Sequence, residues 1–122
     1  MEQVTVTRKA VANGKTIENE SPIACGVLMH ISELIPAGGA TIILSMDVSQ
    51  MKVLILSYPE SGDFTSDQSE DLAFNADTGF LWAEGDPAAS KPFTSDVATL
   101  TIPNTSGADQ LLTGMFGYDP TV

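Results

Sequence analysis

Met51-Lys52-Val53-Leu54-Ile55-Leu56-Ser57-Tyr58 carries the strongest strand signal in the chain. Successive side chains on a strand point to opposite faces. Val53 and Ile55 therefore point one way, and Leu54 and Leu56 the other. A strand apolar on both faces is buried on both. Its second face needs a cover, which another layer, an arm of the chain or a neighbouring subunit could provide. This need is a physical hint of self-association.

C-terminal to this run, short β-rich segments alternate with turn chemistry. Residues 59–70 read as a loop rich in Ser, Asp and Gly, with Phe64 on a short strand inside it. Leu72 and Phe74 alternate with Ala73 and Asn75; Asp77-Thr78-Gly79 turns the chain; Phe80 and Trp82 share the next face. Pro87 and Pro92 bar regular ladder pairing between them. Val97–Ile102 reads as a strand stopped by Pro103, and Gln110–Tyr118 as the last strand. Asn104-Thr105-Ser106-Gly107 supplies turn residues between them.

N-terminal to it, Ile42, Leu44, Met46 and Val48 alternate with more polar neighbours, and Ser49-Gln50 breaks the run. Val4, Val6 and the threonines between them read as a strand to about Val11. Asn13-Gly14 closes a two-residue hairpin, and residues 15–19 form its return strand. This hairpin is thinly apolar, which suits an edge element or an arm lying on something else. Residues 21–39 fit two templates. Ser21-Pro22 could start a helix, with Ile23, Val27, Ile31 and Leu34 at helical spacing. Alternation instead puts Ile23, Cys25, Val27, Met29 and Ile31 on one strand face. The β-rich neighbours favour the strand.

About eight strands, with a turn roughly every 8–12 residues, predict an all-β single domain, an antiparallel β-sandwich or jelly-roll-like fold. Its expected organisation is an N-terminal hairpin or arm over residues 1–20 and a sandwich over 21–122. A chain of 122 residues suffices for one core, burying about 65% of the surface its unfolded form exposes.

Sixteen acidic residues stand against five basic ones, a net charge of −11. Such a surface repels phosphate backbones and anionic membranes, so neither nucleic acid nor membrane is an expected partner. Cys25 is the sole cysteine. No intrachain disulfide can form, which fits a reducing cytosol. The start has no apolar signal region, and no run approaches the ~18 apolar residues of a membrane span.

Enzyme chemistry finds little support. Cys25 and His30, five apart, face opposite sides of a strand and would lie ~140° apart around a helix. One Cys and one His make no zinc pattern. The loop acids Asp63, Asp67, Glu70 and Asp71 lack EF-hand spacing, so a solvated loop is the expectation. Trp82, Phe80 and Phe93 could form a sugar-stacking platform, although core packing suits them better. No catalytic, cofactor-binding or metal-binding residue is expected.

Several segments share one further pattern. They are 47–56 (Asp47-Val48-Ser49-Gln50-Met51-Lys52-Val53-Leu54-Ile55-Leu56), 79–82 (Gly79-Phe80-Leu81-Trp82) and 91–100 (Lys91-Pro92-Phe93-Thr94-Ser95-Asp96-Val97-Ala98-Thr99-Leu100), followed by Asn104-Thr105-Ser106-Gly107 and Tyr118-Asp119-Pro120-Thr121. With Asn13-Gly14-Lys15-Thr16-Ile17 and Ile35-Pro36-Ala37-Gly38, they resemble small capsid-associated structural proteins of tailed phages. The stretch 23–31 is more apolar than that pattern. The resemblance implies a capsid cement or decoration protein: a small β-sandwich, often trimeric, clipped onto the outer shell where major capsid subunits meet. It implies the virion surface as location, the host cytoplasm as place of synthesis, and the major capsid protein and further copies of the chain as partners. Val4, Val6, Val53, Leu54, Ile55, Leu56 and Phe93 are the expected interface residues. The rivals are a tail, neck or fibre component and a carbohydrate- or ligand-binding module.

Overall fold

The computed structural model describes residues 2–120. They form ten strands and no α-helix. The first two, β1 (Glu2–Ala12) and β2 (Lys15–Cys25), pair in register along their whole length as a separate two-stranded ribbon. Asn13 and Gly14 both have positive φ (52° and 75°), the backbone that a two-residue turn between right-twisted strands requires.

The other eight strands build the sandwich. They are β3 (Val27–Ile35), β4 (Ala40–Met46), β5 (Met51–Ser57), β6 (Gly62–Ser66), β7 (Asp71–Phe74), β8 (Phe80–Ala83), β9 (Val97–Ile102) and β10 (Gln110–Tyr118). One sheet runs β3-β10-β5-β8 and the other β4-β9-β6-β7, with antiparallel pairing throughout. Only the β6–β7 hairpin keeps consecutive sandwich strands in one sheet; every other connection crosses between layers. Eight strands wound this way, as two interleaved Greek keys, form a jelly roll. The all-β sandwich expectation therefore holds, and the strand order makes its jelly-roll form definite.

Between the sheets lies the main core, where Leu54, Leu56, Phe64, Leu100, Leu112 and Phe116 are fully buried or nearly so. Phe64 stacks on Phe74 at 4.8 Å, and Tyr58 meets both rings edge-on. The Tyr58 hydroxyl donates to Pro103 O (2.8 Å), so its polar end is satisfied at the core's rim. A second, smaller core lies outside the sandwich. There Val4, Val6, Ile23 and Cys25 of the ribbon cover Val53 and Ala83, with Leu28 and Ile55 at the margin.

The structure corrects three expectations. The return strand does not stop near residue 19 but continues to Cys25, so the hairpin outruns its predicted boundary at residue 20. Pro22 is accommodated there because a two-stranded ribbon is all edge. Ile23, Cys25, Met29 and Ile31 do not share a face. The chain bends at Gly26, leaving Ile23 and Cys25 in the outer core and Met29 and Ile31 at the inner one. Gly26 is needed at this bend, since an added Cβ would lie 2.7 Å from Pro120 Cδ. Val48 also leaves the strand that its alternation suggested and enters a 3-10 turn, Val48–Gln50, capped by Asp47.

Candidate functional site

The base of the ribbon is built into the fold. Cys25 sits over Gly117 of β10, and a Cβ at Gly117 would lie 2.4 Å from Cys25 Sγ and 2.7 Å from Val53 Cγ1. Further along, Arg8 donates to Asp86 Oδ2 (2.7 Å) in the turn beyond β8, and Asp86 also accepts from Ala83 N. Both contacts hold the Asp86 carboxyl below its usual range, the Ala83 amide first and the guanidinium after it. Lys52 donates to Glu84 beside them, which raises the Lys52 ammonium pKa. The ribbon therefore crosses the outer face of the β3-β10-β5-β8 sheet from β10 to β8.

It then leaves the body. Residues 7–11 and 13–20 are all exposed, including Val11 (68%) and Ile17 (64%). Four register pairs lie beyond Arg8 and Asn19, a reach of about 14 Å at strand rise. Within this tip, Lys9 and Glu18 pair at 3.8 Å with both side chains more than half exposed. An exposed pair of this kind contributes about 0–1 kcal/mol. A free two-stranded ribbon is marginal in water, so the tip draws little stability from itself.

Six large hydrophobic side chains are exposed among the described residues: Val11, Ile17, Leu34, Ile43, Leu81 and Leu111. Two are on the tip. Leu34, Leu81 and Leu111 are on the outer face of the same sheet that the ribbon base covers, and Leu34 stands directly beside Leu111. A row of cross-strand neighbours crosses that face next to the ribbon: His30, Met115, Ile55 and Leu81. Only Ile43 lies on the other sheet.

The expected interface residues do not form a free surface. Val4, Val6, Val53, Leu54, Leu56 and Phe93 are buried within the chain's own fold, and Ile55 alone is part-exposed. The physical reason is twofold: the ribbon base, rather than a neighbour, packs Val4 and Val6 on Val53 at the outer face of β5, while Leu54, Leu56 and Phe93 lie in the core between the sheets. What sequence reasoning missed is the exposed tip and the uncovered remainder of the sheet. The separation of exposed Val11 and Ile17 from buried Val4 and Val6 was not marked by any local signal.

The residues with chemical potential are otherwise engaged. Cys25 is fully buried, and burial first, with Glu84 next, pushes its thiol pKa up. His30 is exposed on β3, beside Met115. Trp82 is buried; its indole N–H donates to Pro87 O (3.3 Å) and Lys91 Nζ lies 4.9 Å from its ring. With Phe93 also buried, these aromatics offer sugars no platform. Loop acids act as staples. Asp67 Oδ1 accepts from Ala98 N and Thr99 N. Glu70 accepts from Thr94 N, Thr94 Oγ1 and Ser95 N. Both carboxyls are thereby held below their usual range. No group of three or more His, Cys, Asp or Glu converges among the described residues.

Two open depressions mark the surface. One, of about 330 Å³, is lined by Asp47, Asp96, Phe116 and Tyr118 among others, but Asp47 caps Ser49 and Asp96 accepts from Val48 N. The other lies around residues 38–41 and Asp63. Neither brings a nucleophile to a base. No protein-family model, curated protein or solved structure matches the chain.

Proposed function

We propose that this chain is a structural virion protein, a capsid cement or decoration protein held on the outer shell at junctions between major capsid subunits. The observation that carries this reading is the exposed, part-apolar tip reaching beyond a compact acidic jelly roll. A tether that leaves its own body exists to touch something else. The jelly roll itself recurs among viral capsid and lectin domains, which supports the reading by analogy only. The sequence resemblance to tailed-phage capsid-associated proteins, carried by turn and core positions, supports it as well.

The mechanism is passive. Binding that favours the assembled shell over its separated subunits stabilises it by mass action. Many weak tethers repeated over a lattice add through effective concentration. The acidic body keeps clear of the packaged genome by repulsion. A tail, neck or fibre location is the alternative within the same class. The buried Trp82 and Phe93 speak against the carbohydrate-binding alternative.

Gold labelling of particles from the virus encoding this chain tests the reading. Label over the whole shell is the expected result. Label confined to the tail or neck, or absent from particles, overturns it.

A further inference from the structure

The two sheets of the sandwich end in four edge strands, β3, β8, β4 and β7. An unpaired edge offers its N–H and C=O groups to any extended chain, and natural sheets blunt it with short strands, bulges or charge. β7 and β8 are four residues each. β4 carries a bulge between Ile43 and Met46. β3 has neither device. It runs nine residues, pairs with β10 in unbroken register and contains no Pro or Lys. Among the described residues no strand runs along its far side. Only its end is tied to a loop, where Ile35 O accepts from Asn104 Nδ2 (2.9 Å). The ribbon leans the other way, over Val53 and Ala83 of β5 and β8.

A second observation falls at the same edge. Leu34 (61% exposed) stands beside Leu111 (50%) there, the one cross-strand pair among the six exposed large hydrophobics of the described residues. Apolar surface beside unpaired backbone is what an added strand covers. The edge is also complementary to itself. Set antiparallel to a second β3 about Ile31, Leu28 meets Leu34, His30 meets Ser32 and Val27 meets Ile35. Glu33, the one acid of the strand, meets Met29, so no like charges are opposed. Moving the centre by one residue sets Leu34 against Gly26 at the bend or Leu28 against Pro36. A slip that puts odd positions opposite even ones turns outer side chains inward.

We propose that two copies join edge to edge through β3, antiparallel about a two-fold axis at Ile31, into one eight-stranded sheet, β8-β5-β10-β3-β3-β10-β5-β8. Main-chain bonds along the seam and the two Leu28–Leu34 contacts on the outer face hold it. Each edge is used up by its mate, so association stops at two chains. The seam is one strand long, and Glu33 points inward across from Leu112, a charge that weakens edge pairing. The contact therefore belongs among small, weak interfaces. Two chains of net charge −11 repel each other, so added salt strengthens the pair by screening. The inference goes beyond the decoration reading and does not depend on it.

Sedimentation of the purified full chain tests it. The wild type is expected to reach twice the chain mass and no more by ~0.1 mM protein, with tighter association at ~1 M salt than at ~0.1 M. The edge variant S32K/L34K should weaken the pair by about tenfold or more. The control I43K/S45K makes the same charge change on β4 and should leave the pair intact. All four substituted residues are exposed, so melting should be unchanged in both variants. A wild type that stays a single chain under both salt conditions overturns the proposal. So does growth beyond two chains, or weakening that is equal in the two variants. Crosslinking tests the register. In L28C/L34C the paired Cα atoms of opposed copies fall within disulfide reach, whereas positions 28 and 34 of one strand lie about 20 Å apart. Mild oxidation should give a covalent pair from L28C/L34C and none from L34C alone. No covalent pair from the double variant, or an equal yield from L34C, overturns the two-fold at Ile31.

Discussion

Gly117 has no room for a methyl group, because Cys25 Sγ and Val53 Cγ1 already occupy the place of its Cβ. Gly117→Ala should push the ribbon base off the sheet at about 1–3 kcal/mol, measured by urea denaturation. An unchanged midpoint would show that the ribbon does not rest there. Glu70 makes a second residue-scale case. Its folded pKa is depressed by the Thr94 and Ser95 bonds. A depressed carboxylate contributes stability above its unfolded value, ~4.3, and loses it as pH falls through the lower folded value. The melting gap between wild type and Glu70→Gln should therefore be widest above the unfolded value and close as pH falls through the depressed folded one. A gap that is constant with pH would contradict the stapling role. Glu70 was legible in the sequence only as an acidic loop residue, since its partners lie at Thr94 and Ser95, far along the chain.

At the scale of elements, the ribbon divides into a base that belongs to the core and a tip that does not. Replacing residues 9–18 by a two-residue Asn-Gly turn should leave the melting temperature within a few degrees, because the removed pairs touch no sandwich strand. Removing residues 2–25 should instead uncover Val53 and Ala83 and give a markedly less stable, aggregating protein. Calorimetry of the two deletions separates these outcomes; equal losses would mean that the tip is part of the core after all. Strand positions were largely legible, because Leu72 and Phe74, Phe80 and Trp82, and Val97–Ile102 each sit between strong turn signals. The cover over β5 was not. A strand apolar on both faces reports that it needs one, but layer, arm and neighbour all satisfy the local pattern. The deciding residues, Val4, Val6, Ile23 and Cys25, are few, small and interrupted by Pro22, and Gly26 turns what reads as one alternating run into two strands of different cores.

For the whole molecule, the order β3-β10-β5-β8 over β4-β9-β6-β7 brings distant strands together to give one sheet an outer face. The ribbon base covers that face around Val53 and Ala83, and the tip then departs from it. The central claim is that the base of the ribbon is a fixed part of the fold while the tip draws no support from the sandwich. Hydrogen exchange followed by mass spectrometry on the free chain tests this most directly. The account predicts slow exchange at residues 4–6 and 21–25 and fast exchange at 9–18. Equal exchange in the two parts of the ribbon, or fast exchange at the base, would contradict it.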